Sequence, residues 1–361
     1  MPRPVPPRPV AVAVLRARRF LHMLIDRGMP ADGVVWFMTG GTGATLMMGA
    51  IAELGVADEL AEGKATAQEL ATRLNLDADA LHRVLRALVV HGVVRLDRRA
   101  RFSLTRVGAV LRSDHPQSMS TWVRYMSLHS TQEAWAGVAD TLRSGAPSFS
   151  AVHGKTVWEH FAEHPDEERL FAATMRALTG PASPEIVAGY PWPQDGVVCD
   201  VAGGTGTLLA AILQSRPALR GVLVDVQAVL DEAGGLLAAE GVADRVQLSP
   251  GDIFNSLDAV ADVYVLKDVL HDWDDERCLQ ILRTVRAAMA PGSRVVIVGP
   301  LQERDVADEI ASLIDVQMLT QCEGGRQRSV AELQALLSAA GLEPGLAHRS
   351  AVIGFVEAVA V

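Results

Sequence analysis

Gly196-Val-Val-Cys-Asp-Val-Ala-Gly-Gly-Thr-Gly206 is a short apolar run that ends in a glycine-rich turn, and Thr207 to Gln214 after it has the character of a helix. Glycines are informative in this strand, turn and helix setting, because the turn then opens a helix beside a sheet. Gly203, Gly204 and Gly206 let the backbone approach a ligand closely and adopt positive φ. Asp200 precedes them at the strand's carboxyl end.

The same grammar continues outward. Gly221-Val-Leu-Val-Asp225 reads as a second strand ending in an acid, placed to take both hydroxyls of a ribose. Val246 to Pro250 leads to Gly251-Asp252-Ile253-Phe254, and Val263 to Lys267 leads to Asp268-Val-Leu-His-Asp-Trp-Asp-Asp275. A helix over Glu276 to Ala290 and a strand over Arg294 to Val298 follow. Each loop sits at a strand's carboxyl end, where an open α/β sheet binds ligands. The turn reads A-x-G-x-G and not the G-x-G-x-x-G of nicotinamide enzymes. Without a pyrophosphate to cradle, it needs only to pass an amino acid and a ribose, which suits S-adenosylmethionine. Val34 to Gly43 imitates the pattern, but no acid precedes its glycines, and Gly40 to Gly43 is expected to be a bend between two helices.

The front half has a different pattern. Leu46 to Leu60 reads as an apolar helix, and Thr66-Ala-Gln-Glu69 is a capping box that opens a helix from Ala67 to Leu74. A second helix runs from Asp77 to His91, with Gly92 as its left-handed cap. Strands at Val93–Leu96 and Arg101–Leu104 complete a winged helix. His82, Arg83 and Arg86 raise a DNA-binding reading, but Asp77 and Asp79 would face phosphates, and packing and dimerisation is the preferred role. The breakers Gly180-Pro-Ala-Ser-Pro184 are expected to end a helix and mark a boundary. The expected organisation is an arm and helix over 1–33, a helical winged-helix dimerisation and lid domain over 34–180, and a Rossmann-like α/β domain over 181–361.

Composition narrows the function. The chain has 361 residues, 49% hydrophobic and 21% charged, so it is not a disordered chain. Its net charge of −10 argues against a dedicated nucleic-acid binder. Cys199, Cys278 and Cys322 lack disulfide and metal-ligand spacing and read as reduced cytoplasmic thiols, with no metal expected. No apolar run is counted as long enough to span a bilayer. The basic N-terminus lacks the apolar core of a secretory signal, and Pro2 to Pro9 reads as a disordered or extended arm before a helix over Val10 to Met29. Trp36, Phe37, Met38, Leu46, Met47 and Met48 are more apolar surface than a small winged helix can bury, so a homodimer is expected.

Gly251-Asp252 with Phe254, Leu266-Lys267 and Leu270-His-Asp-Trp-Asp-Asp275 resemble the S-adenosylmethionine-dependent O-methyltransferases of the plant caffeate and flavonoid type. Bacterial relatives of that family tailor polyketides and other aromatic natural products. The resemblance covers roughly Leu46 to Leu342 and includes Trp135, Gly145-Ala-Pro-Ser-Phe149 and His153-Gly154. It implies a class I methyltransferase fold, with Asp200 and the Gly203–Gly206 loop along the cofactor's methionine and Asp225 on its ribose. Asp252 and Ile253 would border the adenine, and Lys267 would lie on the cofactor side. It implies His271 as general base. Met175, Trp273 and Met318 would line the acceptor pocket, with Trp122, Tyr125, Met126, Trp135 and Phe171 closing it. A partner's N-terminal helices would close part of that pocket.

The chemistry is consistent with those roles. A phenol, with a pKa of about 10, is a poor nucleophile until a histidine of pKa about 6.5 takes its proton. Asp272 is adjacent to His271 in sequence and need not face the same way. The family flanks its histidine with two glutamates, and this chain has Gly299 and Gln327 at the matching positions, with Glu303 and Glu323 out of register. Three functions follow in order: O-methylation of a phenolic or enolic natural product, non-methylating chemistry such as hydroxylation or cyclisation in the same pocket, and DNA-linked regulation.

Overall fold

The structure is a computed structural model that describes residues 8–303, 308–350 and 353–361. It contains two compact units. One comprises Val14–Gln132 with His164–Leu178, and the other is built on Glu133–Glu163 and Thr179–Val361. Most of the expected Pro-rich arm lies outside the described residues, and Arg8 and Pro9 already belong to a helix.

The chain starts with α1 (Arg8–Arg27) and α2 (Ala31–Glu53). The expected bend at Gly40–Gly43 does not occur, because α2 runs through it. A helical glycine costs only about 1 kcal/mol relative to alanine. Hydroxyls help to span the weak turns: Thr39 Oγ1 donates to Trp36 O at 2.8 Å and Thr45 Oγ1 to Gly41 O at 3.2 Å. α2 also corrects the count of apolar runs. Glycine and threonine interrupt its apolar stretch without making it polar, so an 18-residue window reaches mean hydropathy 1.3 with 17% of it buried. By length and composition alone, α2 could cross a membrane.

In the first unit, α3 (Val56–Ala61), α4 (Ala67–Leu74), α5 (Ala78–Val90) and the wing strands β1 (Val94–Leu96) and β2 (Phe102–Leu104) surround Ile51, Val56, Leu70, Leu85, Leu88 and Phe102. Both arms of the Thr66–Glu69 capping box are formed, and Gly92 takes φ +68°. His82 turns edge-on to Phe102 at 5.6 Å, and Arg83 pairs with Asp79 at 3.8 Å. The helices α6 (Ser120–Met126), α7 (His129–Ala136), α8 (Val138–Ser144), α9 (Ser148–His153) and α10 (Val157–Glu163) follow.

The breaker run does not end its helix either. α11 (Pro165–Gly189) passes through with Pro181 and Pro184 inside it. A helix-interior proline costs about 3 kcal/mol. Burial of Ile186 and Ser183, and a hydrogen bond from Ser183 Oγ to Thr179 O at 2.8 Å, offset that cost.

The second unit carries a seven-stranded sheet built from β3 (Asp195–Val201), α12 (Thr207–Ser215), β4 (Ala218–Asp225), α13 (Gln227–Ala239), β5 (Val246–Pro250), β6 (Val263–Lys267), α14 (Asp275–Ala288), β7 (Arg294–Gly299), α15 (Glu309–Gln321), α16 (Val330–Ala339), β8 (Leu342–Arg349) and β9 (Gly354–Ala360). The order is β5-β4-β3-β6-β7-β9-β8. β3 to β7 are parallel, and β9 and β8 close the edge antiparallel. Winding reverses between β3 and β6, which opens a crevice at their carboxyl ends. Alternate residues feed two cores: Cys199, Val201, Tyr264 and Leu266 face one, and Val198, Val263, Val265 and Val298 the other. Helices on both faces explain why these strands read as continuous apolar runs. The fold is therefore mixed α/β with a Rossmann-like sheet, preceded by a helical winged-helix unit.

Candidate active site

β3 delivers Asp200 and the glycine turn to the crevice. Ala202, Gly204 and Gly206 take φ +53°, +60° and +81°, and Gly206 caps α12. A Cβ on Gly203 would lie 2.5 Å from Asp200 Cγ and 2.6 Å from Leu223 Cδ1, so only glycine fits there. At Gly204 nothing among the described residues lies within 4 Å of an added Cβ, so that side of the turn is open to them. Asp225, at the end of β4, accepts from Gly204 N and Val226 N, both at 2.8 Å, which ties the second strand's acid to the turn.

Asp200 is 2% exposed, and its Oδ2 has no hydrogen-bond partner among the described residues. Burial pushes its carboxyl up to about 7, opposed by the charge of Lys267 and reinforced by that of Asp225. Lys267 Nζ pairs with Asp268. Asp252 is engaged in its own loop, accepting from Phe254 N at 2.9 Å and Asn255 Nδ2 at 2.6 Å, while Ile253 and Phe254 pack against the sheet core.

His271 sits on a single 3₁₀ turn, Leu270–Asp272, that follows β6. Gln327 Nε2 lies 2.7 Å from its Nδ1, and Asp272 Oδ1 lies 3.4 Å from its Nε2. Asp272 therefore does face the imidazole, contrary to what adjacency in sequence suggested. Burial pushes Asp272 up to about 6, with the His271 charge opposing and Asp268 reinforcing. The loop after α15 locks this turn in place. Arg326 N donates to His271 O at 2.8 Å, and a Cβ on Gly325 would lie 2.9 Å from that oxygen. Arg328, buried, donates to Leu270 O at 2.6 Å, to Trp273 O at 2.7 Å and to Asp275 Oδ1 at 2.7 Å. Among the groups the sequence did not single out, Arg328 was marked only by the Gly-Gly-Arg-Gln-Arg run. Glu323 accepts from Ser150 Oγ.

The expected acceptor residues fall into two groups. Trp122, Tyr125 and Phe171 cluster in the helical unit, with ring centroids 6.4 and 5.7 Å apart, and Met126 and Met175 lie on the same two helices. In the sheet unit, Trp273 meets Phe254 edge-on at 4.7 Å and stacks on Trp158 at 5.7 Å, a partner the sequence reading missed. Trp135, whose Nε1 is buried without a partner among the described residues, and buried Met318 lie on α7 and α15. No group of three or more metal-ligating side chains occurs among the described residues.

A family model for the O-methyltransferase domain matches residues 135–343, and one for the O-methyltransferase dimerisation domain matches 38–114. The chain belongs to the O-methyltransferase family. This methyltransferase is 38% identical over 293 residues to the 3-amino-4-hydroxybenzoate 4-O-methyltransferase of Streptomyces cremeus, covering 81% of this chain and 80% of that protein. It is 35% identical over 296 residues to aclacinomycin 10-hydroxylase RdmB of Streptomyces purpurascens, covering 81% and 79%. The crystal structure of NcsB1, an O-methyltransferase of neocarzinostatin biosynthesis bound to S-adenosylmethionine and 2-hydroxy-5-methyl naphthoic acid, superposes with a TM-score of 0.75 at 33% identity, covering 88% of this chain and 96% of that one.

The methyltransferase depends on S-adenosylmethionine, and its own residues fit that group. The unpaired buried oxygen of Asp200 is a partner for a cation, the open side of Gly204 admits a ligand, and Asp225 is an acid at the position a ribose diol requires.

Proposed function

We propose that this enzyme methylates a phenolic hydroxyl on a small aromatic or polyketide-like natural product, with His271 as general base. The observation that carries the reading is the imidazole's position. It stands at the end of β6, the strand beside the glycine turn, gripped by Gln327 on one nitrogen and faced by Asp272 on the other.

When bound, S-adenosylmethionine supplies a methyl group already made electrophilic by its sulfonium. The chain must therefore align an oxygen behind that methyl and remove the oxygen's proton. Asp200 and the Gly203–Gly206 turn hold the cationic amino-acid end, and Asp225 holds the ribose. Asp252 and Ile253 border the adenine, and Lys267 stands on the cofactor side of the site. With the Gln327 amide turned so that its oxygen accepts from Nδ1–H, His271 takes the hydroxyl proton through Nε2 and passes it to solvent. Trp273 and Met318 are assigned to acceptor binding, and so are Met175, Trp122, Tyr125, Met126, Trp135 and Phe171.

In this reading residues 34–180 form the dimerisation and lid domain and 181–361 the catalytic one, and the enzyme works as a cytoplasmic homodimer. The exposed Trp36, Phe37 and Met38 on α2 support a second copy as their cover. Hydroxylation is the second reading, supported by the relative named as a hydroxylase and by Gly299 and Gln327 standing where acids were expected.

The deciding experiment incubates the protein with S-adenosylmethionine and a panel of phenols that includes 3-amino-4-hydroxybenzoate and 2-hydroxy-5-methyl naphthoic acid. Mass spectrometry should record the gain of one methyl. His271→Ala should lower turnover by roughly 10²–10⁴-fold while leaving cofactor affinity in place. Gain of one oxygen in place of a methyl would move hydroxylation to first place.

A further inference from the structure

Asp268 is the first residue after β6 and takes φ +53°, a left-handed conformation that residues with side chains seldom adopt. Its N–H donates to Val298 O at 2.9 Å, which holds it beside the end of β7. Its Oδ2 pairs with Lys267 Nζ, while its Oδ1 is buried with no hydrogen-bond partner among the described residues. A strained backbone and an unsatisfied buried oxygen in one residue call for a reason.

Gly299 ends β7 next to it. A Cβ built on Gly299 would lie 2.6 Å from Asp268 Oδ1, and its next two neighbours, at 3.8 and 3.9 Å, also belong to Asp268. Among the described residues, Asp268 supplies the three atoms nearest that position. Asp268, Gly299, His271 and Gln327 all line a cavity of about 30 Å³, room for about one water.

We propose that Asp268 is a positioning residue for methyl transfer, its unpaired oxygen stabilising across this cavity the imidazolium that forms when His271 takes the acceptor's proton. This rests on His271 being the base. The acceptor's O–H bond breaks and its proton goes to His271, while the oxygen bonds the methyl carbon as the carbon–sulfur bond breaks. Asp268 stays ionised throughout and acts by charge.

The other groups around His271 are less suited. Arg326 and Arg328 line the same cavity, but each is paired with Asp275. Asp272 is pushed up to about 6 by burial and so loses charge where a histidine titrates, and Cys322 beside it is held as a neutral thiol by burial. Burial also acts against ionised Asp268, but the charges of Lys267 and His271 and the Lys267 hydrogen bond outweigh it and hold the carboxyl below its ordinary value.

Asp268→Asn removes the charge and keeps the shape. With the phenol of the panel that turns over fastest, the acidic limb of kcat should move down by about one pH unit and the plateau should fall roughly tenfold, the scale of one nearby charge. Proton NMR of the ligand-free protein, with the His271 signal assigned by its loss in His271→Ala, should show the same downward shift. Asp268→Ala should lose as much, and adding Gly299→Asp, which returns an acid to the cavity from β7, should recover most of the rate and the limb. A residue that only braces Lys267 or its loop is not rescued from another strand. An unchanged limb and NMR titration in Asp268→Asn would overturn the proposal, as would a folded double variant that recovers nothing. If His271→Ala keeps nearly full rate, the base assignment falls and this one with it. If His271→Ala loses its rate while Asp268→Asn does not, only the role of Asp268 falls.

Discussion

Gln327 Nε2 and His271 Nδ1 lie 2.7 Å apart, and the end of the amide that meets the ring decides which ring nitrogen can take a proton. With the amide nitrogen donating to Nδ1, a neutral imidazole carries its hydrogen on Nε2, facing Asp272. With the amide oxygen accepting from Nδ1–H, Nε2 is bare and basic. A glutamine presents either end, whereas a carboxylate presents only acceptors.

Gln327→Glu should therefore fix the reactive tautomer and favour the imidazolium. The acidic limb of the pH–rate profile should move up by about one pH unit. Gln327→Leu should slow turnover about tenfold or more by freeing the ring. Steady-state rates from pH 5 to 9 check both, and a limb that stays put in Gln327→Glu would show that this contact does not tune the base.

If Asp200 holds the cofactor's cationic end, cofactor affinity should depend on pH. In the free protein its carboxyl is pushed up to about 7, chiefly by burial. A bound cation favours the ionised form, so the complex holds fewer protons than the free enzyme. Affinity for S-adenosylmethionine should fall as pH drops through about 7, and binding near that pH should release a proton. Calorimetry in buffers of different ionisation enthalpy measures that release. Absence of a buffer effect across the range would separate Asp200 from the cofactor.

Asp225→Ala should weaken S-adenosylhomocysteine binding by roughly 1.5–3 kcal/mol, the scale of hydrogen bonds to a charged group. Part of the loss should come from the turn itself, because Gly204 N loses its acceptor. Calorimetry reads the affinity, and an unchanged value would move the ribose elsewhere.

Arg328→Ala should destabilise the sheet unit, since the side chain satisfies the carbonyls of Leu270 and Trp273. The Cys278 thiol, 3.1 Å from Leu270 O and 3.5 Å from Trp273 O, is one weak donor for the two, so at least one buried carbonyl is left under-satisfied at a cost of roughly 1–3 kcal/mol. Urea unfolding should show the loss, and turnover should fall with it because the same turn carries His271. Arg328→Lys should recover little, since one ammonium cannot reproduce the fork.

The sheet was legible because parallel strands buried on both faces leave apolar runs, and the polar residues at or beside their carboxyl ends, Asp200, Asp225 and Lys267, mark where each run stops. Thr66 and Glu69 set a helix start by local chemistry alone, which is why that boundary could be read. Glycines 40, 41 and 43 and prolines 181 and 184 misled for the opposite reason: their local cost is real, but burial and hydroxyl bonds elsewhere on α2 and α11 outweigh it. In the site, His271 and Gln327 could be placed by motif. The facing of Asp272, the buried fork of Arg328 and the left-handed Asp268 depend on how distant loops meet, and no periodicity encodes that.

The contact between Gly299 and Asp268 also constrains how such a sequence can change over generations. An acid at position 299 and one at 268 compete for the same few ångströms, so an ancestor bearing both would crowd two negative charges together. A lineage moving the acid from one strand end to the other must therefore lose the old one before gaining the new. Each substitution is neutral or harmful according to which came first, and comparing positions 268 and 299 singly across relatives would miss that dependence.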